Sequence, residues 1–245
     1  QPCDMKKIRS LSKEYGFSVI EDASHAIGGR YLDKPIGNCQ YSDITVFSFH
    51  PVKIITTAEG GLATTNSRKL SERMKMLRSH GITRNSNLMI KEPEGDWYYE
   101  QIDLGFNYRM TDLQAALGIS QMQKLDDFVA KRNVIRERYE ELLNGFELVR
   151  PFQFEGSLSA THLYPIKVHN RDAIFNKLRM AGVGVNVHYI PIHLQPFYVS
   201  LGFHLGDFPK SEAYYNETIS LPIFSSMTFM QQDEIVKVVE MALKP

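Results

Sequence analysis

The sequence predicts an α/β fold, because stretches with the apolar spacing of helices alternate with short apolar runs that are typical of strands. Met5 to Tyr15 has helical spacing, and Gly16 directly after it indicates where that helix ends. Apolar runs predict strands at residues 17–20, 44–49 and 62–65. The first run leads into Glu21 and Asp22, and a buried strand that delivers acidic residues at its C-terminal end is typical of sites in parallel α/β sheets.

Composition and charge are those of an ordinary globular protein. Hydrophobic residues make up 43% and charged residues 23%, which leaves ample apolar material for a core. Lys and Arg together number 28, as do Asp and Glu, so the net charge indicates neither nucleic acid nor an anionic membrane as a partner. No apolar run approaches the ~20 residues that span a bilayer. Cys3 and Cys39 do not make a disulfide framework, which favours a reducing, cytoplasmic location.

A change of pattern near the middle of the chain predicts two domains. Thr111 and Gln114 form a capping-box pattern that opens a long helix, and the helical pattern continues to Leu143 and stops at Gly145. The polar residues 82–101 before it are predicted to form a long loop. We place the boundary in or near the long helix, which gives a larger domain at 1–130 and a smaller domain at 131–245.

The C-terminal part is predicted to mix strands and helices. Leu163 to Val168 is a predicted strand, and Asn170 is the predicted cap of the helix that follows. Valines alternate at 183, 185 and 187, which predicts a half-buried strand. A second capping-box pattern at Thr228 opens a last helix that runs to Leu243.

Three short motifs carry the residues suited to chemistry. They are Glu21-Asp22-Ala23-Ser24-His25-Ala26 and Ser48-Phe49-His50-Pro51-Val52-Lys53, each after a strand, and Gly105-Phe106-Asn107-Tyr108-Arg109-Met110, before the capped helix. Each motif alone can be explained by an ordinary structural role without any catalytic function. A lysine after a strand is commonly solvated, an aspartate at a strand end can cap a turn, and a serine there can be a simple surface hydroxyl.

Taken together, in this order and spacing, the motifs resemble those of the DegT/StrS group of fold-type-I aminotransferases, pyridoxal-phosphate enzymes that act on nucleotide sugars. The resemblance continues through Glu59-Gly60-Gly61 and Arg78-Ser79-His80-Gly81 and covers nearly the whole chain. It implies a fold-type-I pyridoxal-phosphate transferase, with a mostly parallel sheet in the large domain and a smaller α+β C-terminal domain.

The resemblance also implies a role for each residue of a cofactor site. Lys53 matches the catalytic Schiff-base lysine, which needs a lowered pKa to be nucleophilic. Asp22 matches the carboxylate that keeps the pyridine nitrogen of the cofactor protonated. Ser48 matches a phosphate ligand, and Asn107 matches a residue that reaches the phosphate site of the neighbouring subunit, which implies a homodimer with shared active sites. His25 stands where many relatives have Gln, near the phenolic oxygen of the cofactor ring, although a structural histidine is the alternative.

Three further residues are candidates for binding substrate. Arg109 could hold the carboxylate of the amino donor, or could be a structural ion-pair partner. His188 and Tyr189 lie in a segment that is near the substrate in relatives. The spacing of His188 and His193 is compatible with a metal, but Pro191 interrupts a helix there and no third ligand is evident, so no metal is expected.

The predicted reaction moves an amino group from an amino acid, expected to be glutamate, to C4 of a nucleotide-linked 4-keto-6-deoxy sugar, with UDP as the expected nucleotide. Residues 48–61 and 161–166 most resemble the branch of the family that serves pseudaminic acid biosynthesis. Branches that act on perosamine precursors or on the 4-keto-pentose of lipid A modification share most of these residues. One alternative is a sugar dehydratase of the same group, which has histidine in place of the lysine at 53. A catalytically silent dimeric scaffold is the other.

Complete members of the group carry an N-terminal portion that precedes the segment matched here. That portion supplies a loop at a helix N-terminus that binds the cofactor phosphate, and an aromatic residue that stacks on the ring. Neither feature is found in this sequence, and Gly28-Gly29 follows the Asp22 motif in the wrong place to substitute. We therefore expect the 245 residues alone to bind pyridoxal phosphate poorly.

Overall fold

A computed structural model describes residues 1–244 and divides the chain into two compact units. The first comprises residues 2–125, and the second begins at Asp126 and includes Gln1. The division after Leu125 lies five residues before the boundary predicted at 130. In the part of the chain that is described, none of the helices has the length and apolar composition that crossing a bilayer requires.

The first unit is built from short strands and three helices. In chain order its elements are α1 (Met5–Tyr15), β1 (Ile20–Asp22), β2 (Arg30–Tyr31), β3 (Lys34–Pro35), β4 (Ile44–Ser48), β5 (Gly61–Thr64), α2 (Arg68–Leu77), β6 (Ile82–Thr83), a 3-10 turn (Ser86–Leu88), β7 (Glu100–Gln101) and α3 (Asp112–Met122). Helix α1 ends as predicted, with Gly16 in the left-handed conformation at φ 74°. Thr111 forms the predicted capping box with Gln114 at the start of α3.

The central sheet of this unit has the strand order β1-β4-β5. Strand β1 runs parallel to β4, with Asp22 opposite Val46, whereas β5 runs antiparallel to β4, with Gly61 opposite Ser48. The described sheet is therefore mixed rather than mostly parallel. Residues 49–60 contain turns and no helix, so the chain returns directly beside β4 instead of crossing over through a helix.

Two predicted segments of the first unit differ from the structure. The strand predicted at 17–20 begins only at Ile20. Before it, the Phe17 carbonyl accepts from the Ser12 hydroxyl and the Val19 N–H donates to the Asp43 side chain, although the Val19 carbonyl still accepts from the Asp43 backbone N–H. That strand is also not buried throughout, since Ile20 is 66% exposed. The long loop predicted at 82–101 is closed by pairing of β6 with β7, where Ile82 lies opposite Gln101.

The second unit contains β8 (Ser157–Leu158), β9 (Tyr164–Lys167), α5 (Arg171–Met180), a 3-10 turn (Ile192–Leu194), α6 (Pro196–Val199), α7 (Pro209–Glu217), β10 (Thr218–Leu221) and α8 (Phe229–Leu243), and α4 (Leu125–Leu142) leads into it. The helix predicted to run from 112 to 143 is thus two helices, α3 and α4, with a break at residues 123–124. Apolar spacing did not reveal the break, because Leu117 and Leu125 continue the same periodicity across it.

The core of the second unit lies between the β9–β10 pair and helices α4, α5 and α8. Its fully buried side chains include Tyr139, Tyr164, Ile166, Leu178, Ile219 and Val239. Burial of such side chains is the main stabilising contribution in a domain of this kind. Thr228 forms the predicted capping box with Gln231 at the start of α8.

Two local predictions in the second unit are correct only in part: Asn170 is the N-cap residue of α5, and Val183 and Val185 are buried as expected. Asn170 precedes α5 in a left-handed conformation, at φ 52°, and its side chain makes no capping hydrogen bond. The strand predicted at 183–187 is reduced to a single bridge between Asn186 and Ser220, although Val183 and Val185 are buried. The alternating burial was predicted correctly, whereas the continuous hydrogen-bond ladder was not.

Candidate cofactor site

The first two motifs meet at one edge of the central sheet. Asp22 is the last residue of β1 and Ser48 is the last residue of β4. Because these two strands are parallel, their carboxyl ends lie at the same edge of the sheet. Asp22 lies opposite Val46, which is two residues before Ser48 on β4. Buried Ala23, Phe47 and Phe49 fix the backbone on either side of the two polar side chains.

Asp22 is held in one orientation by Ser24. The backbone N–H and the hydroxyl of Ser24 both donate to Asp22 Oδ1, at 3.0 and 2.5 Å. These bonds, with the charges of His25 and Lys53 as smaller contributions, hold the pKa of the Asp22 carboxyl below its usual range. Within residues 1–244 no group donates to Oδ2, so a second donor could be accepted there. Ser24 was not among the site residues predicted from the sequence, although an Asp-x-Ser turn is a recognisable signal.

Lys53 lies in the turn after β4 and is half-buried, followed by the buried side chains of Ile54 and Ile55. Its backbone N–H donates to the His50 carbonyl at 2.9 Å, which shapes the turn. Burial lowers the pKa of the Lys53 amine, and the charge of Asp22 opposes part of this effect. Lys53 and Asp22 are therefore near enough to interact, and the amine is more readily neutral than that of a solvated lysine.

Ser48 and His25 are both half-buried. The Ser48 hydroxyl oxygen accepts from the His50 N–H at 3.3 Å, and its own proton remains available to a ligand. His25 is three residues after Asp22, and its charge helps to lower the pKa of the Asp22 carboxyl. His25 is thus linked electrostatically to Asp22, and Ser48 lies at the end of the strand that pairs with the strand ending at Asp22.

The third motif is bound to the segment that follows α2. The Phe106 N–H donates to the Leu77 carbonyl at 2.6 Å, and the Tyr108 N–H donates to the Arg78 carbonyl at 2.9 Å. Asn107 forms a bridge with Ser79 between these two bonds. This pairing joins two of the sequence motifs, residues 78–81 and 105–110. The side chains of Asn107 and Arg109 are both exposed.

His188 and Tyr189 belong to the second unit. His188 Nδ1 lies 2.8 Å from the Ser220 hydroxyl, and the ring of His188 meets that of Tyr189 edge-on, with centroids 4.6 Å apart. Tyr189 is 58% exposed, so a polar, planar surface is available to a ligand at this point.

His193 is paired differently from His188. Its Nε2 lies 2.8 Å from Glu212 Oε1, and both side chains are buried. Glu212 was not among the residues predicted from the sequence, because no local signal connects residues that are 19 positions apart. Among residues 1–244, no three His, Cys, Asp or Glu side chains are grouped as they would be to hold a metal ion.

Comparison with known proteins defines the class as aminotransferases with an α/β fold. The chain belongs to the DegT/DnrJ/EryC1/StrS aminotransferase family, whose family model matches residues 1–240. The chain spans less than two thirds of the length of the curated relatives that it matches.

Two relatives and two solved structures illustrate the similarity. An uncharacterized protein of Methanocaldococcus jannaschii is 40% identical over 99% of this chain and 64% of its own. The UDP-4-amino-4,6-dideoxy-N-acetyl-beta-L-altrosamine transaminase of Campylobacter jejuni is 37% identical over 91% of this chain and 58% of its own. Helicobacter pylori PseC, an aminotransferase involved in the biosynthesis of pseudoaminic acid, superposes with a TM-score of 0.89 at 30% identity, covering 98% of this chain and 63% of its own. Spr1654 of Streptococcus pneumoniae, a candidate sugar aminotransferase solved in a PLP form, gives 0.85 at 28% identity, covering 98% and 65%.

Proposed function

We propose that the protein is a pyridoxal-phosphate aminotransferase that moves an amino group from L-glutamate to C4 of a UDP-linked 4-keto-6-deoxy sugar. The observation that carries the proposal is the placement of Asp22 and Lys53 at one sheet edge, where the lysine amine has a lowered pKa and interacts with the carboxylate. Family membership and the transaminases among the relatives support the same reaction.

The residues at the sheet edge fit the cofactor. Pyridoxal phosphate, when bound, supplies an electron sink that stabilises negative charge at the carbon next to nitrogen. Lys53 would hold the cofactor and move protons, since a lysine of lowered pKa is both a nucleophile and a base. Asp22, whose Oδ2 is open, would keep a proton on the ring nitrogen. Ser48 and Asn107 would donate to the phosphate, and His25 would lie near the phenolic oxygen of the ring.

Three residues are proposed to bind the substrates. Arg109 would hold the donor carboxylate, because its guanidinium binds carboxylates through two parallel hydrogen bonds. His188, which is half-buried, and Tyr189, which is exposed, would contact the nucleotide sugar. Among the relatives, the transaminase of Campylobacter jejuni and PseC point to a UDP-linked N-acetylhexosamine of pseudaminic acid biosynthesis.

A homodimer with shared active sites is part of the proposal. Asn107 is exposed, as a residue that reaches a neighbouring subunit must be. Large apolar side chains beside it are also exposed, namely Leu104 at 85%, Tyr108 at 74% and Leu113 at 86%. An apolar surface of this kind is typical of a protein interface. The two free cysteines are compatible with a cytoplasmic location.

The proposal is tested by assaying transfer from glutamate to a UDP-linked 4-keto-6-deoxy-N-acetylhexosamine. Lys53→Ala should lower kcat by about 10²–10⁴-fold or more, because the proton-transfer group is lost. Lys13→Ala, at an exposed position of α1, is the control and should leave turnover unchanged. Equal turnover in both variants would contradict the proposal. A sugar dehydratase would instead release the deoxygenated keto sugar, and a scaffold would turn over no substrate.

A further inference from the structure

The segment 188–193 is anchored at both ends by a histidine side chain. At one end His188 Nδ1 lies 2.8 Å from the Ser220 hydroxyl of β10, and at the other His193 Nε2 lies 2.8 Å from the carboxylate of Glu212 in α7. Between the two anchors the side chains of Tyr189, Ile190 and Ile192 are 58, 48 and 65% exposed. The segment is therefore a short arch whose ends are fixed and whose middle is available to a ligand.

Glu212 binds more than His193. Its Oε1 also accepts from the backbone N–H of Gly206 at 2.9 Å and of Phe208 at 3.3 Å, and its Oε2 lies 3.1 Å from the Gly206 N–H. Burial raises the pKa of the Glu212 carboxyl, but the hydrogen bonds from His193, Gly206 and Phe208 lower this pKa by more. The net result is a pKa below the usual value. One buried carboxylate thus ties the arch to the loop that precedes α7.

An open cavity of about 540 Å³ lies between the arch and this loop. Its lining includes Tyr189, Pro191, His193, Phe203, Phe208 and Tyr214. The rings of His193 and Phe208 lie 4.8 Å apart at the tie itself, so Glu212 sets the separation of the two walls. Aromatic walls with few polar groups are typical of pockets that bind planar or amphipathic organic ligands.

We infer that Glu212 is a positioning residue for nucleotide-sugar binding, which acts by holding the arch 188–193 in the conformation that presents Tyr189. The inference rests on the proposed function, in which His188 and Tyr189 contact the sugar nucleotide. Glu212 itself is buried and is not among the residues that line the cavity. Loss of its carboxylate should weaken binding of the nucleotide sugar more than it affects binding of the amino donor or the chemical step.

The test uses the protein as its source organism makes it, loaded with pyridoxal phosphate, with glutamate and a UDP-linked 4-keto-6-deoxy-N-acetylhexosamine as substrates. Glu212→Ala should raise KM for the nucleotide sugar by about 10- to 100-fold, the scale expected when a binding group is misplaced. KM for glutamate should stay unchanged, and kcat at saturation should change less than KM. Glu212→Gln keeps one acceptor oxygen toward His193 and the backbone, and should stay within about tenfold of the wild type.

The matched control is Glu217→Gln, at the last residue of the same helix, where the carboxylate pairs with Lys167 at 2.6 Å in a half-exposed ion pair. It should leave both KM values within about twofold. Because KM does not depend on the amount of folded enzyme, a merely destabilising Glu212→Ala would lower yield without the selective change. If Glu212→Ala does not fold, His193→Ala removes the same tie from the other side and should give the same selective rise.

A folded Glu212→Ala protein with a wild-type KM for the nucleotide sugar would overturn the inference. If Tyr189→Ala still raised that KM in the same assay, the proposed function would stand without it. A wild-type protein that aminates no UDP-linked keto sugar would overturn the proposed function and the inference together.

Discussion

Gly105 and Gly81 lie so close that a Cβ on Gly105 would be 2.2 Å from the backbone nitrogen of Gly81. The same Cβ would lie 2.6 Å from the His80 carbonyl carbon and from the Leu77 carbonyl oxygen. These contacts are with backbone, which cannot turn aside as a side chain can. The absence of a side chain at 105 therefore allows the segment with Asn107 and Arg109 to pair with residues 78–81.

Gly105→Ala should push these two segments apart. We expect it to lower the free energy of unfolding by about 1–3 kcal/mol, the usual cost of overpacking, and to weaken binding of pyridoxal phosphate through displacement of Asn107. Chemical denaturation and a cofactor titration measure the two effects. Gly184→Ala is the control, because a Cβ at Gly184 meets no atom within 4 Å. Equal stability of the two variants would show that the 105–110 segment adjusts without cost.

Asp22→Asn should lower the pKa of Lys53 still further. Burial already lowers this pKa, and the negative charge of Asp22 opposes it, so removal of that charge disfavours the protonated amine. Competitive acylation of the cofactor-free protein at a series of pH values, followed by mass spectrometry of the Lys53 peptide, measures the midpoint. Asp96→Asn should leave the midpoint in place. An unchanged or raised midpoint in Asp22→Asn would show that the two groups do not interact.

Ser24→Ala should raise the pKa of Asp22 toward its ordinary value, because the hydroxyl that stabilises the carboxylate is lost. A lowered pKa stabilises the folded state above the unfolded pKa, and this contribution disappears as the pH falls through the folded pKa. The stability difference between wild type and Ser24→Ala should therefore be present at neutral pH and shrink in acid. An NMR titration of the Asp22 carboxyl and denaturation at two pH values measure these effects. Ser10→Ala, on the exposed face of α1, should change neither.

Leu178→Ala should lower the free energy of unfolding by about 2–5 kcal/mol, because a side chain that is 0% exposed leaves a cavity in the core of the second unit. Met180→Ala, two residues further along the same helix, removes a side chain that is 90% exposed and should change stability by less than about 0.5 kcal/mol. Denaturant unfolding compares the two. Similar losses from both would contradict the described orientation of α5.

The features predicted correctly from sequence depend on short-range signals. Gly16 ends α1, and Thr111 and Thr228 form capping boxes, because each motif satisfies the free backbone groups of a helix end within four residues. The motifs with Asp22 and Ser48 were each expected directly after a strand, and the structure places both at one edge of the sheet.

The features that were missed depend on contacts between distant residues. The pair of His193 and Glu212 joins a 3-10 turn to helix α7, and the pairing of Ile82 with Gln101 closes a segment that was predicted to be a long loop. At 183–187 the alternation of apolar residues indicates which side chains are buried. A strand also needs a partner strand with free backbone groups along its whole length, and the alternation does not indicate whether one is present. The break between α3 and α4 carries no glycine or proline, so no local signal marked it.

The central claim is that Lys53 holds the cofactor, and the most direct measurement is reductive labelling. The protein as its source organism makes it is titrated with pyridoxal phosphate, followed by absorbance, then reduced with borohydride and digested for peptide mapping. We expect a visible absorbance band and a single labelled peptide that carries the modification on Lys53. Absence of a band at saturating cofactor, or a label on another lysine with Lys53 unmodified, would contradict it.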